Sequence, residues 1–267
     1  MEAEERSEWQ APPPPERIEV EQEQPQMSEV ATLANIFFEP GATFEDLKRK
    51  PRFILASIII ALLTTAFAFG IAYKVGDEGM RRFMNETFDK NPQTASMSAE
   101  QRSQAIEMQL TISKYSRFAL PIIMFIMILL GGLLYWLGAK AFGGTGNFLH
   151  GVSVWVYSWL PPLVVGMLAN FIALIFKSAD DIDIASSQRG IVQANPSFLF
   201  GADASPVLVT LVSVLDLFAI WGWVLAAIGL RITNRLSSGS AWAVVLILAL
   251  IGITMRVFFA FIGGAPA

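Results

Sequence analysis

The stretch FILASIIIALLTTAFAFGIAY, residues 53–73, contains 21 consecutive residues without a charged side chain. A helix needs about 20 apolar residues to cross the roughly 30 Å of hydrocarbon in a bilayer. Four further apolar runs of similar length follow, at residues 118–139, 152–176, 206–230 and 241–262. The sequence therefore predicts an all-α membrane protein whose five transmembrane helices form one domain over residues 53–262.

The composition of the whole chain narrows the classes of function. Of the 267 residues, 54% are hydrophobic and 16% are charged, and the net charge of -4 argues against a nucleic-acid partner. There is no cysteine, which excludes thiol catalysis and cysteine-bound metal centres. The single histidine, His150, excludes a His–His metal pair. No serine, lysine or carboxylate pair has catalytic spacing, so we expect neither a cofactor nor enzymatic activity.

Two different segments precede the first span. Residues 1–28 are rich in Glu, Gln and Pro and have almost nothing apolar to bury, which predicts a disordered acidic tail. Residues 29–52 predict two short interfacial helices, the first capped by Ser28 and the second by Thr43. Pro40 and Gly41 are expected to end the first helix and to act as a hinge between the two.

The interfacial segment combines apolar and basic side chains. Phe37, Phe38, Phe44 and Leu47 are expected to dip into the acyl boundary of the membrane. Nearby cations would contact anionic lipid headgroups, each contributing about 1 kcal/mol. These cations are Lys48, Arg49, Lys50 and Arg52. A plain linker is the alternative interpretation of this segment.

The connections between spans differ in length. Residues 74–117 predict a helical hairpin that projects from the bilayer, since the segment SAEQ at 98–101 fits a capping box. The link GGTGNF at 143–148 predicts a tight turn in which Gly143 and Gly144 allow positive φ. In the third span, Pro161 and Pro162 must kink or break the helix, either as a functional hinge or as a packing bend.

Two charged residues lie inside predicted spans. Asp216 falls about ten residues into the fourth span, and Arg256 lies in the fifth. Intramembrane charges are costly and usually have a partner inside the bundle. At 1.5 Å per residue the two lie at nearly the same depth, which predicts an Asp216–Arg256 ion pair, direct or through water. The pair either locks the helices together or serves as a proton or cation site.

The orientation follows from Lys and Arg near the span ends. An inside N-terminus places seven cations inside and eight outside. The inner cations crowd against span ends, whereas the outer ones are spread through a long segment that also contains many acids. We therefore expect a cytoplasmic N-terminus and, after five spans, a C-terminus on the opposite side.

Three stretches together resemble the Yip1 family. IFFEPGATFEDLKRKPRF at 36–53 is similar to the segment before that family's first span, and LGAKAFGGTGNFLHGVSVWVYSWLPP at 137–162 is similar to its junction of spans two and three. LDLFAIWGWVLAAIGL at 215–230 is similar to the fourth span of the bacterial branch. The resemblance implies five helices in a bacterial cytoplasmic membrane, with a cytoplasmic N-terminus and a periplasmic or extracellular C-terminus. Eukaryotic relatives bind prenylated small GTPases, whereas the bacterial branch has no agreed function.

Three functions remain open at this point. The first is a non-enzymatic membrane scaffold or adaptor that organises membrane-protein partners, copies of itself or membrane shape. The second is a transporter or channel for a small solute or ion that uses Asp216 and Arg256. The third is a lipid-modifying enzyme, for which no metal or nucleophile constellation is present. A water-filled path to Asp216 would favour the transporter, and a dry, packed core would count against it.

Overall fold

The computed structural model describes residues 26–90, 97–182, 184, 190–200 and 204–263. Across these residues the chain forms eight α-helices and one short 3-10 helix, and it has no β-strand. Four helices are long and apolar enough to cross a membrane, and a pair bent by 47° provides a fifth span. The predicted all-α membrane architecture is therefore confirmed, with four continuous spans and one broken span.

The helices follow the apolar runs closely. Two short helices precede the spans: α1 (Glu29–Asn35) and α2 (Pro40–Arg49). The four continuous spans lie in α3 (Ile54–Lys90), α4 (Ala99–Ala141), α5 (Phe148–Phe176) and α8 (Ser238–Gly263). Helix α3 is kinked at Gly76, beyond its apolar run. The broken span consists of α6 (Pro206–Ser213) and α7 (Leu217–Thr233), preceded by a 3-10 helix at Pro196–Leu199. We call the end of the bundle with α1 and α2 the N-terminal end, and the opposite end, where α3 and α4 extend furthest, the hairpin end.

The predicted helical hairpin is present at the hairpin end. The hydroxyl of Ser98 accepts a bond from Gln101 N at 3.2 Å, and the Gln101 side chain accepts one from Ser98 N at 3.1 Å, which completes the capping box. Two ion pairs join the helices, Arg81 with Glu107 and Arg102 with Asp89. The tip of the hairpin, residues 91–96, lies outside the described residues.

The glycine turn between α4 and α5 has a positive φ at one of its two predicted glycines. Gly143 has a φ of 79°, and Gly144 N donates to Ala139 O at 2.8 Å, which ends α4. Further along, α4 and α5 pack backbone against backbone, since a Cβ at Gly132 would lie 2.5 Å from Val152 Cα. Small residues of this kind are what allow transmembrane helices to approach closely.

The two prolines of the third span do not break it. Helix α5 continues through Pro161 and Pro162, and both side chains are buried. They pack toward α7, because a Cβ at Gly222 would lie 3.9 Å from Pro162 Cγ. The helix is therefore not broken at these prolines, and the break lies in the fourth span instead. The alternative of a kink, as a functional hinge or as a packing bend, stays a prediction.

The N-terminal helices are part of the bundle. Pro40 and Gly41 begin α2 rather than ending α1, because proline fits the first helical position, where no N–H bond is required. Thr43 is therefore inside α2 and does not cap it, and its hydroxyl donates to Glu39 O at 3.0 Å. Ser28 caps α1 as predicted, accepting from Ala31 N at 3.1 Å.

The side chains of Phe44 and Leu47 are fully buried in the main hydrophobic core. The Phe44 ring lies against Gly229 of α7, where a Cβ would come within 2.8 Å of the ring, and beside Val154 of α5. The expectation that Phe44 and Leu47 face acyl chains is therefore wrong. Their apolar pattern is real, but protein covers it instead of lipid.

Candidate functional site

A cavity of about 870 Å³ lies between the helices in the half of the bundle nearer the hairpin end. This volume falls in the range of about 300–1,000 Å³ that is typical of ligand sites. Its walls are mostly apolar and include Phe67, Leu120 and Trp223. Asp216 and Arg256, the two charges predicted inside the membrane, also line it. The cavity is the candidate site because it joins a ligand-sized volume to these charges.

Asp216 caps the helix that begins at the break. Its Oδ1 accepts bonds from Phe218 N at 2.9 Å and Ala219 N at 3.1 Å. The first amide of α7, Leu217 N, donates to Ala194 O at 3.1 Å. The exposed N–H groups and partial positive charge of a helix N-terminus are thus satisfied by the chain itself. An anionic ligand would have to displace the Asp216 carboxylate to bind there.

Arg256 lies at the other side of the break. Its Nη2 donates to Ser213 Oγ at 3.3 Å, and Ser213 is the last residue of α6. A cation at a helix C-terminus interacts favourably with the partial negative charge of that end. The two intramembrane charges therefore stabilise the two helix ends that meet at the break, Asp216 at the start of α7 and Arg256 at the end of α6.

The predicted direct ion pair is not formed. The ion pairs among the described residues do not include Asp216 with Arg256. The reason is geometric, because the carboxylate is turned toward the first amides of α7 and toward Asn195. Both residues line the same cavity, so coupling through water stays a prediction.

A loop of the α5–α6 connection closes one side of the site. Asn195 Nδ2 donates to Asp216 Oδ2 at 3.2 Å, so both carboxylate oxygens are bonded. Asn170 Oδ1 on α5 accepts from Val192 N at 2.9 Å, while its Nδ2 donates to Gly166 O at 2.8 Å. The two asparagine side chains therefore fasten residues 190–195 to α5 and to the break.

The N-terminal end contains a buried ion pair. Arg52 pairs with Asp46, which is 1% exposed, and Arg52 also donates to Met27 O at 2.7 Å and to Thr32 Oγ1 at 2.9 Å. These bonds tie α1, α2 and the start of α3 together. The expectation that Arg52 contacts lipid headgroups is wrong, since its guanidinium is enclosed by protein.

The other residues predicted at the membrane interface keep some exposure. Phe38 is 84% exposed and Phe37 is partly buried. Lys48 pairs with Glu45 at 3.2 Å, Arg49 is partly buried, and Lys50 is exposed. Contact of these five side chains with lipid stays a prediction.

The Yip1 domain matches residues 34–261, which span most of the 267 residues. The chain belongs to the Yip1 family. Because the match begins within α1, the buried face of α2 and the ion pair of Asp46 with Arg52 lie inside the family domain.

A relative of this Yip1 protein is the membrane protein YknW of Bacillus subtilis, strain 168. The two sequences are 27% identical over 222 residues, which cover 83% of this chain and 86% of the relative. The relative's name describes a membrane protein and gives no activity. No solved structure matches this Yip1 protein.

Sequence reasoning missed three residues of these sites. The sequence alone indicates no role in these sites for Asp46, Asn195 or Ser213. One signal was available at the break, since an Asp followed by Leu-Phe-Ala fits a helix N-cap. The uninterrupted apolar run hid this signal, because it predicted one continuous helix through Asp216.

Proposed function

We propose that this Yip1 protein is a non-enzymatic membrane scaffold that organises membrane-protein partners. The observation that carries the proposal is the length of its hairpin. Helix α4 has 43 residues, about 65 Å at 1.5 Å per residue, whereas the hydrocarbon core is about 30 Å thick. About half of α4 is thus available to partners beyond the apolar layer.

The hairpin is braced at several points, which suits a docking platform. Besides the two ion pairs between α3 and α4, Arg82 pairs with Asp180 at 3.0 Å and so ties α3 to the segment after α5. A single surface ion pair contributes little to stability, but several together restrict bending of the hairpin relative to the bundle. A braced hairpin presents the same side chains to each partner.

One exposed face of α4 fits another membrane helix. Met108, Tyr115 and Ile122 are exposed and spaced by seven residues, and exposed Phe118 lies between them. Seven-residue spacing of apolar side chains is the pattern of helix pairs. The face continues from the hairpin into the uncharged run at 118–139, so its partner must itself cross the membrane.

Photo-crosslinking from position 115 tests this proposal. A photoreactive residue replaces Tyr115 in the full-length chain, with a matched position at exposed Leu250 on α8 as control. We expect discrete adducts from position 115 in native membranes, reduced by M108D, and none of the same mass from position 250. Adducts with a second copy would identify a homo-oligomer. Identical adducts from both positions would contradict the proposal.

We also propose the membrane and the orientation. The N-terminus is cytoplasmic and the C-terminus periplasmic or extracellular, in a bacterial cytoplasmic membrane. Lys48, Arg49 and Lys50 support this, because they lie at the N-terminal end and cations there would meet anionic headgroups. Thiol labelling of S98C and S237C from each side of the membrane tests the assignment, and labelling of both from the same side would contradict it.

A transporter or channel for a small solute or ion is the second candidate. The break in the fourth span favours it, because discontinuous helices line the substrate sites of many transporters. The cavity reaches both Asp216 and Arg256. Proteoliposomes with a pH- or potassium-sensitive dye test it. A flux that D216N abolishes and E100Q preserves would support transport, and equal flux in protein-free vesicles would exclude these two ions.

A further inference from the structure

The cavity extends from the hairpin, where Met80 and Phe83 line it, past the membrane boundary into the apolar layer. Arg117 lines it on α4 and is the last charged residue before the uncharged run at 118–139, which places it at the height of lipid headgroups. Phe67, Leu120, Met167 and Trp223 line the apolar part. A cation at the membrane boundary with apolar side chains below it matches a lipid whose head points toward the hairpin end.

Arg117 has unused hydrogen-bonding capacity. Among the described residues its side chain makes one hydrogen bond, from Nη2 to Ser113 Oγ at 3.4 Å, and it takes part in none of the ion pairs. A guanidinium has five N–H donors in a planar fork that matches a carboxylate or a phosphate. The side chain is half-buried, so an anion held there would be partly shielded from water.

The other charges of the cavity are directed elsewhere. Asp216 uses both oxygens on α7 and Asn195, and Arg256 is held at the end of α6 by Ser213. Neither arrangement involves Arg117, which lines a different wall of the cavity, on α4. The anionic group that the cavity selects would therefore sit beside α4, away from the break.

Two membrane-spanning helices, α4 and α8, bound the cavity toward the hairpin end. Helices α4 and α8 are packed tightly toward the N-terminal end, where a Cβ at Gly138 would lie 2.6 Å from Val244 Cγ1. Toward the hairpin end both helices line the cavity, with Leu120 on α4 and Ile253 on α8. Both helices are candidate membrane spans, so this side of the cavity lies within the apolar layer.

We infer that the cavity binds one anionic acyl lipid, with its phosphate or carboxylate at Arg117 and its chain between α3, α5 and α7. The volume of about 870 Å³ equals roughly thirty waters at about 30 Å³ each, far above the small voids of a packed protein. The apolar walls would leave that many waters poorly hydrogen-bonded, whereas an acyl chain fits them. The site is independent of the scaffold proposal.

Lipid photolabelling of the full-length protein in phosphatidylcholine nanodiscs tests the site. Trace probes carry a diazirine in the acyl chain of phosphatidylglycerol, palmitate or phosphatidylcholine, and mass spectrometry locates the adducts. We expect the anionic probes to label cavity residues such as Met167 and Trp223. R117Q should reduce this labelling about tenfold, as expected for loss of a charge-assisted hydrogen bond. K114Q, which removes an exposed cation from the same helix, is the matched control and should have no such effect.

A second pair of variants guards against misfolding of R117Q. A68W fills the cavity, and A66W places the same bulk on the exposed face of α3. A68W alone should abolish cavity labelling by every probe. Labelling by the phosphatidylglycerol probe identifies a phospholipid and labelling by palmitate alone a free fatty acid, and either supports the site. Equal labelling by phosphatidylcholine, equal effects of R117Q and K114Q, or adducts confined to lipid-facing residues would each overturn it.

Discussion

Asp216 illustrates how a charge can be kept inside a membrane domain without an opposite charge as its direct partner. Its carboxylate accepts hydrogen bonds from two backbone amides at the start of α7 and from the Asn195 side chain, so all of these donors are neutral. Hydrogen bonds to an ionised carboxylate are stronger than those between neutral groups. The residue therefore acts as a helix cap first, and any role in transport would have to work through that cap.

Substitution at position 216 separates capping from charge. D216A should lower the free energy of unfolding by about 1–2 kcal/mol, the usual cost of losing an N-cap. D216N should cost less, because asparagine caps as well as aspartate. Unfolding in a denaturing-detergent titration measures both, with E78A on the exposed face of α3 as control. Equal losses for D216A and D216N would show that the charge matters more than the cap.

If D216A and D216N lose equal stability, coupling of Asp216 with Arg256 through water is the interpretation to test. A double-mutant cycle of D216N with R256Q then decides, since residues without shared partners add within about 0.5 kcal/mol. Additive losses would dismiss the predicted pair altogether. A smaller loss in the double variant than the sum of the two would support it.

At the scale of elements, the hairpin depends on a kink in α3. Gly76 has a φ of 68° and nothing within 4 Å of the position of a Cβ, so G76A meets only backbone strain. We expect a loss of about 1–3 kcal/mol in the free energy of unfolding, because a φ of 68° with a ψ of 176° is a conformation that essentially only glycine adopts. G41A is the control, since Gly41 also has open space but ordinary φ. A G76A variant as stable as G41A would contradict the kink.

The ion pair of Arg81 with Glu107 makes the hairpin sensitive to acid. The hydrogen bond from Arg81 lowers the pKa of Glu107 below its ordinary value of 4.5. A lowered folded pKa means that the stabilisation is present above the unfolded pKa and is lost as the pH falls through the folded one. Hydrogen exchange of the hairpin at decreasing pH, corrected for intrinsic rates, should show faster opening once the pH falls below the ordinary pKa of Glu107.

The variant E107Q should remove this acid sensitivity, because a neutral amide does not titrate. The exposed Glu100 of the same helix provides the control E100Q, which should keep the wild-type profile. Identical pH profiles for wild type and E107Q would show that the pair does not brace the hairpin.

The hairpin also shows why some elements are predictable from sequence. The capping box at Ser98 and Gln101 is a local signal, and the structure contains it as predicted. The break at Asp216 was missed because the apolar run around it carries a membrane signal that conceals a local cap. Apolar composition determines that a segment crosses the membrane, but it does not determine whether its helix is continuous.

At the scale of the whole molecule, the N-terminal segment is a structural part of the bundle. The pattern of Phe44 and Leu47 identified a buried face correctly, but it could not say whether lipid or protein covers that face. Gly229 supplies the answer from nearly two hundred residues away, because its missing side chain leaves room for the Phe44 ring. Such a long-range fit has no signature in the local sequence.

This placement changes which experiments are informative. Deleting residues 28–52 would remove Phe44, Leu47 and the buried pair of Asp46 with Arg52. The resulting loss of partners would then report unfolding rather than a lost adaptor. Surface positions on the hairpin, which leave the core intact, are the better place to look for partners of this Yip1 protein.

Thiol accessibility at position 47 tests most directly whether the N-terminal segment is packed into the bundle. The chain has no cysteine, so L47C carries a single thiol, and A42C places one on the exposed side of the same helix. With a lipid-soluble and a water-soluble maleimide on the membrane-embedded protein, we predict rapid labelling at position 42. Position 47 should stay unlabelled by both reagents until the protein is denatured. Rapid labelling of position 47 by the lipid-soluble reagent would contradict the account and return α2 to the membrane surface.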